Sequence, residues 1–247
     1  MTPLTNEEFA TVQRFCQLMS EKIATVGLDV YVESNFRDFM KLRRRVAPET
    51  VQNPTYDPDH SNISLNNAFW LRAVEPGGDT VAMIAQRVFD TEDFLEEVRS
   101  LRLWHDRPDP PPGVLRLDDC GFAATMKGRI GHAGGLWINP IYRKKNLSGL
   151  IDHLGRGLLL RNFWFDHITG IIGTELAATG IATKQYGWSG VEGHLEFDFF
   201  FTGGHMVEFG LCHMSRADAI ARMNQWLLFP ESHSVEQLDQ VGKALAD

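Results

Sequence analysis

The segment GGLWINPIYRKKNLSGLIDHLGRGLLLR, residues 134–161, decides how the rest of the chain is arranged. It begins with a short apolar run at 136–138 and turns at Asn139-Pro140. A basic loop at 143–146 leads into apolar residues at 147, 150, 151, 154 and 158, the spacing of one face of an amphipathic helix. Because a helix start presents backbone N–H groups and the positive end of a dipole, this junction suits a phosphate or pyrophosphate. The alternative is a solvated basic turn before a surface helix.

The same residues resemble the signature of the GNAT superfamily of acyl-CoA N-acyltransferases. In that family a central strand leads through a Pro-x-Tyr-Arg step into an Arg/Gln-x-x-Gly-x-Gly/Ala loop. The matching residues here are Pro140, Tyr142, Arg143, Lys144, Lys145, Asn146, Leu147 and Ser148. Asn146 and Ser148 replace small residues of the pattern, and Asn is the non-glycine residue that best tolerates a positive φ.

The resemblance implies an acyl-CoA co-substrate, acetyl-CoA or longer, and no metal. Backbone groups of Leu136 and Ile138 would bind the pantetheine arm, and residues 143–148 would hold the pyrophosphate. The thioester would lie where the strand at Leu136 separates from the strand at Ile171. The acceptor would be a small-molecule amine.

Composition excludes several functional classes. The chain has 247 residues, 43% of them hydrophobic, and a formal net charge of -8, which argues against non-specific nucleic-acid binding. No apolar run is long enough to span a membrane, and Glu7 and Glu8 stand where a signal peptide would carry positive charge. A cytoplasmic protein is expected. Three widely spaced cysteines, Cys16, Cys120 and Cys212, are interpreted as buried thiols.

The order of the predicted elements indicates an α/β fold with a mixed, mostly antiparallel central sheet flanked by helices, similar to acyl-CoA N-acyltransferases. One parallel crossover is expected between the strands at Leu136 and His167. We expect an N-terminal helix in residues 1–30 packed on the domain, an acyltransferase-like domain at 31–230, and a C-terminal helix at 231–247. Thr5 and Glu8 form a capping box for the first helix. The apolar side of this helix could alternatively mediate homodimerisation.

Turn and capping residues predict the helices, hairpins and loops of the remaining segments. Helices are predicted at 35–46, after Thr91, at 176–186, at 215–228 and at 234–245, and hairpins at 69–89 and 195–213, the second turning at Gly203-Gly204. Residues 47–68 are predicted to be loop rather than core, and 108–112 a stiff proline-rich insertion.

Acyl transfer from a thioester releases a thiolate that an acid can protonate. In many GNAT enzymes a Tyr four residues before a Gly-Phe pair is this acid. Here the pair is Gly187-Trp188 and the position holds Thr183. Tyr186 would therefore have to reach the thiolate from another direction, or the thiolate would leave unassisted.

The last hairpin carries the candidate bases. Pairing across Gly203-Gly204 places His194, Glu196 and Asp198 on one face with His205 and His213, and Phe197, Phe199 and Phe201 on the other. The polar face could supply a general base, a metal site or an ordinary solvated surface. Glu208 falls on the phenylalanine face, so either this register is wrong or Glu208 is a semi-buried carboxylate with a raised pKa. On the second alternative Glu208 is the expected base, with Glu196 binding the acceptor's charge.

Other residues have weaker support. His132 and Glu175 lie near strand ends and could be catalytic or structural. The run Arg43-Arg44-Arg45 suits a helix C-terminus, or a contact for an acidic partner or for the distal end of a cofactor. The N-terminal part is also similar to acyl-homoserine-lactone and N-acyl amino acid synthases, which implies acyl-carrier protein as an alternative donor. A non-catalytic acyl-CoA-binding protein of the same fold is the other alternative.

Overall fold

Eight strands form one mixed sheet in the computed structural model, which describes residues 3–48, 53–106, 114–118, 121–198 and 207–230. The strands are β1 (Asp29–Glu33), β2 (Ala68–Val74), β3 (Thr80–Thr91), β4 (Val114–Asp118), β5 (Gly128–Ile138), β6 (His167–Gly173), β7 (Gly190–Asp198) and β8 (Val207–Ser215). Their order across the sheet is β1-β2-β3-β5-β6-β8-β7-β4.

Helices cover both faces of the sheet. They are α1 (Asn6–Thr25), α2 (Phe36–Val46), α3 (Phe94–Arg99), α4 (Leu147–Phe163), α5 (Thr174–Ala178), α6 (Ile181–Lys184) and α7 (Arg216–Leu228). The predicted capping box begins α1: Thr5 N–H donates to the Glu8 carboxylate at 2.7 Å, and Glu8 N–H donates to the Thr5 hydroxyl at 3.2 Å. No helix in the described parts of the chain is long and apolar enough to cross a membrane.

The largest core lies between the sheet and the layer of α1, α4 and α7. The five apolar positions predicted for the face of α4 are all buried. The prediction of an amphipathic helix is nevertheless wrong for α4, because the opposite side of the helix is buried as well. Contacts with α1 cover that side, so α4 is the central helix of the layer rather than a surface helix.

The other face of the sheet carries α2, α3 and the segment 53–67. Tyr56 in this segment is fully buried against Phe36, Phe39 and Trp70. The expectation that 47–68 lies outside the core is therefore wrong around Tyr56. A short 3-10 helix at Pro54–Tyr56 turns the aromatic ring inward, and its phenol donates to the backbone carbonyl of His132 at 3.1 Å.

The sheet is antiparallel except between β5 and β6, as the fold class predicts. These two strands pair in parallel from Ile130 opposite His167 to Ala133 opposite Gly170. The connecting helix is α4, so the predicted crossover is confirmed.

Several elements differ from the predictions. The strand β1 was not predicted; it is a short edge strand with exposed Tyr31 and Val32. The helix predicted at 176–186 is interrupted at Thr179-Gly180, where Gly180 has a φ of 75°. The first turn of α3 is capped by Asp93 rather than Thr91. The proline-rich insertion, the turn at Gly203-Gly204, Cys120 and the last predicted helix lie outside the described residues.

Candidate active site

The strands β5 and β6 separate at the middle of the sheet. Their pairing ends at Ala133 and Gly170. Just beyond this point β5 contains a bulge, since Met83 pairs with Trp137 and Ala85 with Gly134, so that two residues of β5 face one of β3. Gly135 in the bulge has a φ of 63°, and a Cβ there would lie 2.7 Å from the Phe39 ring. The bulge thus requires glycine both for its backbone conformation and for its close approach to α2.

A cavity of about 280 Å³ occupies this gap. Part of its lining belongs to the core beneath α4: Ile84, Ala133, Ile172, Tyr186, Trp188 and Cys212. Another part comes from the opposite face, including Arg43 of α2, Asn53, Trp104, Ile171 and Phe209. The cavity therefore passes between the separated strands and reaches both faces of the sheet.

The N-terminus of α4 lies near the cavity, since Gln185, which contacts it, directly precedes the lining residue Tyr186. Asn146 has a φ of 52°, which confirms that this residue takes the left-handed conformation expected of a glycine. No side chain caps the start of α4, so the first-turn N–H groups keep their capacity for an anion. Gln185 approaches this turn and donates to the Asn146 side chain at 2.7 Å and to the Ser148 hydroxyl at 3.0 Å.

The predicted basic loop is a 3-10 helix, Pro140–Lys145. Arg143 and Lys145 are exposed; Nε of Arg143 lies 3.4 Å from the carbonyl of Ile138, and Nζ of Lys145 lies 4.7 Å from the Tyr142 ring centroid. The Tyr142 phenol in turn donates to Glu75 at 2.8 Å. The side chain of Lys144 lies outside the described part of the structure. The cations of this loop are thus held beside the start of α4.

Tyr186 lies in the cavity wall, at its loop end. Burial raises the pKa of Tyr186, and the Ser148 side chain in the first turn of α4 opposes this rise only in part. The phenol is therefore protonated at neutral pH.

A buried ion pair lies behind the cavity. Arg156 donates to Asp152 at 2.5 Å and to the backbone carbonyl of Tyr186 at 3.0 Å, and its guanidinium lies 4.4 Å from the Trp188 ring. Burial raises the pKa of Asp152, which Arg156 opposes. Asp152 is the carboxylate among the described cavity-lining residues. Arg156 thus connects Asp152 of α4 with the backbone of the Tyr186 segment.

The predicted environment of Glu208 is wrong. In the structure Glu208 is directly opposite Glu196 across β7 and β8, on the same face, and its side chain is 54% exposed. A two-residue turn at 203–204 would have placed Leu211 opposite Glu196. The true offset differs by three residues, an odd number, which reverses the face of the strand. Neither glutamate is among the described residues that line the cavity.

The polar face of this hairpin is smaller than predicted. His194 Nε2 lies 3.0 Å from Glu196 and 3.9 Å from Glu208, and ligand atoms of these three residues lie within 4.8 Å of one another. His213 is not with them, since it stacks on Phe122 on the other face. Asp198's side chain and His205 lie outside the described residues.

The other two catalytic candidates are not in the cavity lining that the structure describes. His132 is fully buried, with Nδ1 2.8 Å from the Thr169 hydroxyl, and burial lowers the pKa of its imidazole to about 3. Glu175 is an exposed residue in the first turn of α5. Neither position favours proton transfer at the gap.

No protein-family model matches the sequence, and no curated protein matches it. Solved structures do match the fold. The Arabidopsis thaliana NAA60 structure in complex with acetyl-CoA is 10% identical and has a TM-score of 0.51, covering 77% of this chain and 99% of that one. The chain has the GNAT acyltransferase fold. A GNAT-family acetyltransferase from Streptococcus pneumoniae is 12% identical with a TM-score of 0.43, covering 76% of this chain and 99% of that one.

Part of the cavity wall of this GNAT fold carries no recognisable sequence signal. Arg43 stands in a charged run that suits a helix end or a contact with a partner, and no motif marks Asn53, Trp104 or Asp152. Asn53 and Trp104 stand in loops, where no periodicity marks an inward side chain. Only long-range packing brings these residues to the gap.

Proposed function

We propose that the protein is an N-acyltransferase that moves an acyl group from acyl-CoA to an amine. The observation that carries this proposal is the cavity between β5 and β6, which opens beside the uncapped start of α4. A phosphate at the helix start and a thioester in the gap would be joined by an extended arm running along β5. Acetyl-CoA in the Arabidopsis protein of the same fold supports this donor.

The donor contacts follow from this placement. The pyrophosphate would accept hydrogen bonds from the first-turn N–H groups of α4 and from the cations at 143–145, with Asn146 and Ser148 shaping the turn. The pantetheine amides would pair with backbone groups of Leu136 and Ile138, which lie beyond the last β5–β6 pair. The thioester carbonyl would then reach the bulge.

Transfer forms a C–N bond and breaks the C–S bond. The amine loses a proton to solvent as the amide forms. The departing thiolate leaves as an anion and takes a proton from solvent to give the free thiol. Ser148, the side chain that lowers the pKa of the Tyr186 phenol, belongs to the proposed pyrophosphate-binding loop. We therefore assign Tyr186 to donor binding, and the thiolate leaves unassisted by a side chain of the cavity wall.

The charges on α2 favour acyl-CoA over acyl-carrier protein as the donor. Three of its exposed cations are paired with aspartates: Arg37 with Asp59, Lys41 with Asp38 and Arg44 with Asp57. Pairing reduces the positive field that an acidic carrier protein needs for steering. Transfer from acyl-CoA should therefore be fast without a carrier. Transfer that requires acyl-carrier protein and slows sharply with salt would favour the other donor.

Incubation with acetyl-CoA and longer acyl-CoAs, with and without a mixture of amines, tests the proposal. Free thiol should appear only when both substrates are present, and mass spectrometry should detect the amide. Tight binding of acyl-CoA with no thiol release under any amine would instead indicate a non-catalytic acyl-CoA-binding protein.

A further inference from the structure

Few of the groups in the cavity wall can accept a proton at neutral pH. Among the described lining residues the ionisable side chains are those of Arg43, Asp152, Tyr186 and Cys212. A guanidinium stays protonated in proteins. Burial raises the pKa of the Tyr186 phenol and raises the pKa of the Cys212 thiol to about 12, so both groups keep their protons. The Asp152 carboxylate is the base that remains in the described wall.

The two carboxylate oxygens of Asp152 have different surroundings. Oδ2 accepts a hydrogen bond from Nη2 of Arg156 at 2.5 Å. Among the residues that the structure describes, no donor lies within hydrogen-bond distance of Oδ1. Because Asp152 belongs to the cavity wall, this second oxygen can accept a hydrogen bond from a molecule bound there.

Arg156 fixes the position of this carboxylate. Its guanidinium also donates to the backbone carbonyl of Tyr186 at 3.0 Å and lies 4.4 Å from the centroid of the Trp188 ring. Both members of the ion pair are buried, with the side chain of Arg156 4% exposed and that of Asp152 6% exposed. Arg156 cannot turn away from Asp152 without losing these contacts. The carboxylate is therefore held in one orientation, as proton transfer requires.

The surroundings of Asp152 make it more basic than an exposed aspartate. Burial raises its pKa to about 6, and the positive charge of Arg156 opposes this rise. The other ionisable groups that interact with the pair are the neutral phenol of Tyr186, the neutral thiol of Cys212 on β8, and Arg222 on α7, which acts on Arg156. A base whose pKa lies slightly below the working pH is mostly ionised and still accepts a proton readily.

We infer that Asp152 is the general base that deprotonates the acceptor ammonium. The inference rests on the proposed function and adds a catalytic residue to it. Oδ1 takes one proton from the ammonium, directly or through one water molecule, and leaves a neutral amine that attacks the thioester carbonyl. The carboxylic acid then returns this proton to solvent.

The protons of this sequence balance. The amine loses its second proton as the amide forms, and the thiolate takes up one proton to give the free thiol. One ammonium ion and one acyl-CoA thus give the amide, the thiol and one proton, which leaves through Asp152.

Two amines of similar shape and different basicity test this role. Ethylamine is an ammonium ion at neutral pH, whereas trifluoroethylamine is mostly the neutral amine, because its fluorines withdraw electrons from the nitrogen. With acetyl-CoA, Asp152→Asn should lower kcat/KM about 10²- to 10⁴-fold for ethylamine and less than about threefold for trifluoroethylamine.

The pH dependence gives a second readout. The parent kcat/KM for ethylamine should reach a plateau above about pH 6, where Asp152 is ionised. In Asp152→Asn it should instead keep rising about tenfold per pH unit, as the fraction of neutral ethylamine does. If another amine of the mixture is the better acceptor, its profile is compared in the same way.

A double variant separates catalysis from support of the fold. Asp152→Asn leaves the buried charge of Arg156 without a compensating charge, which destabilises the protein. Asp152→Asn with Arg156→Gln removes that charge too. A purely structural Asp152 predicts that the second change restores the rate with ethylamine, whereas a base predicts that the rate stays low. Asp106→Asn is the matched control, because it breaks the ion pair with buried Arg87, and neither residue is among the described lining residues. It should leave the ratio of kcat/KM between the two amines unchanged.

The outcomes separate the two proposals. Equal losses for both amines in folded Asp152→Asn, or an unchanged rate and plateau with ethylamine, overturn the base and leave the acyltransferase standing. Recovery of the rate in the double variant also overturns it. Acyl-CoA binding without release of thiol from the parent protein under any amine overturns the proposed function, and the assignment of Asp152 with it.

Discussion

Gln185 Nε2 lies 2.7 Å from Oδ1 of Asn146, across the start of α4. Asn146 has a left-handed backbone there, and Gly149 on the next part of the turn has no room for a Cβ, since one would lie 2.8 Å from that same Oδ1. Gln185, Asn146 and Gly149 therefore pack closely in this turn and restrict its conformation. A loop built in this way keeps its backbone N–H groups in one arrangement before any anion arrives.

The backbone conformation of Asn146 gives the first prediction. Asn146→Ala should lower the free energy of unfolding by about 1–2 kcal/mol, because a Cβ-bearing residue without a local polar partner is strained at positive φ. It should also weaken CoA binding. Asn146→Gly also loses the contact with Gln185, but glycine adopts a positive φ without strain. This variant should therefore retain its CoA affinity. Chemical denaturation and calorimetry with CoA measure both effects. Equal losses for the two variants would show that the side chain, not the backbone, matters.

The loop cations give the second prediction. Lys145→Glu should weaken CoA binding by at least about 1.5 kcal/mol, because a charged hydrogen bond to phosphate is lost and repulsion is added. Lys127→Glu makes the same charge change at an exposed position before the opposite end of β5, and it should have little effect. Calorimetry with CoA measures the affinity of both variants. An unchanged affinity in folded Lys145→Glu would remove this lysine from the donor site.

Tyr186 gives the third prediction. If its hydroxyl serves donor binding through Ser148, Tyr186→Phe should raise KM for acyl-CoA several-fold and leave kcat and its pH dependence nearly unchanged. A general acid would behave differently, since its loss typically lowers the rate about 10²- to 10⁴-fold. Steady-state kinetics across pH distinguish the two. A large fall in kcat with unchanged KM would return Tyr186 to the role of acid.

Sequence patterns predict the helices of this fold well where local chemistry sets their ends. Thr5 with Glu8 and Ser215 with Asp218 each cap a helix as expected, and residues 147–158 form α4. The bonds that define these ends join residues three positions apart, so they can be read from the chain alone. The same holds for Asn146, whose left-handed backbone follows from its place in the loop.

The register of β7 and β8 could not be predicted in this way. It depends on how many residues separate the paired positions of the two strands, and a shift of an odd number of residues exchanges the faces. β1 was missed because its five residues are stabilised by pairing with β2 rather than by a strong local pattern. The residues of the cavity wall are harder still to predict from the sequence, since Arg43, Asn53 and Trp104 meet only after the sheet has assembled.

His132 gives the fourth prediction, which concerns stability. Burial lowers the pKa of His132 to about 3 from an ordinary value of 6.5, so the unfolded chain binds a proton that the folded protein does not. Above pH 6.5 the neutral imidazole does not reduce the free energy of unfolding. That free energy falls as the pH drops from 6.5 towards 3, because protonation favours the unfolded chain. His132→Asn, which keeps a polar group near Thr169, should therefore flatten the fall in stability between pH 6.5 and 4. Urea titrations at several pH values measure this slope, and an unchanged slope would contradict the assignment.

The last prediction concerns the two glutamates of the final hairpin. Glu196 is held by Arg116 at 3.2 Å and by His194, and Glu208 is exposed on the same face. The hydrogen bond with His194 lowers the pKa of Glu196, which makes it a weaker base. Since neither carboxylate lines the cavity that the structure describes, we expect Glu208→Gln and Glu196→Gln to keep the parent rate and the same acid limb in kcat/KM. Glu175→Gln, an exposed acid on α5, is the matched control. If Glu208→Gln alone loses the acid limb, Glu208 is the base, and the hairpin must then approach the gap during turnover.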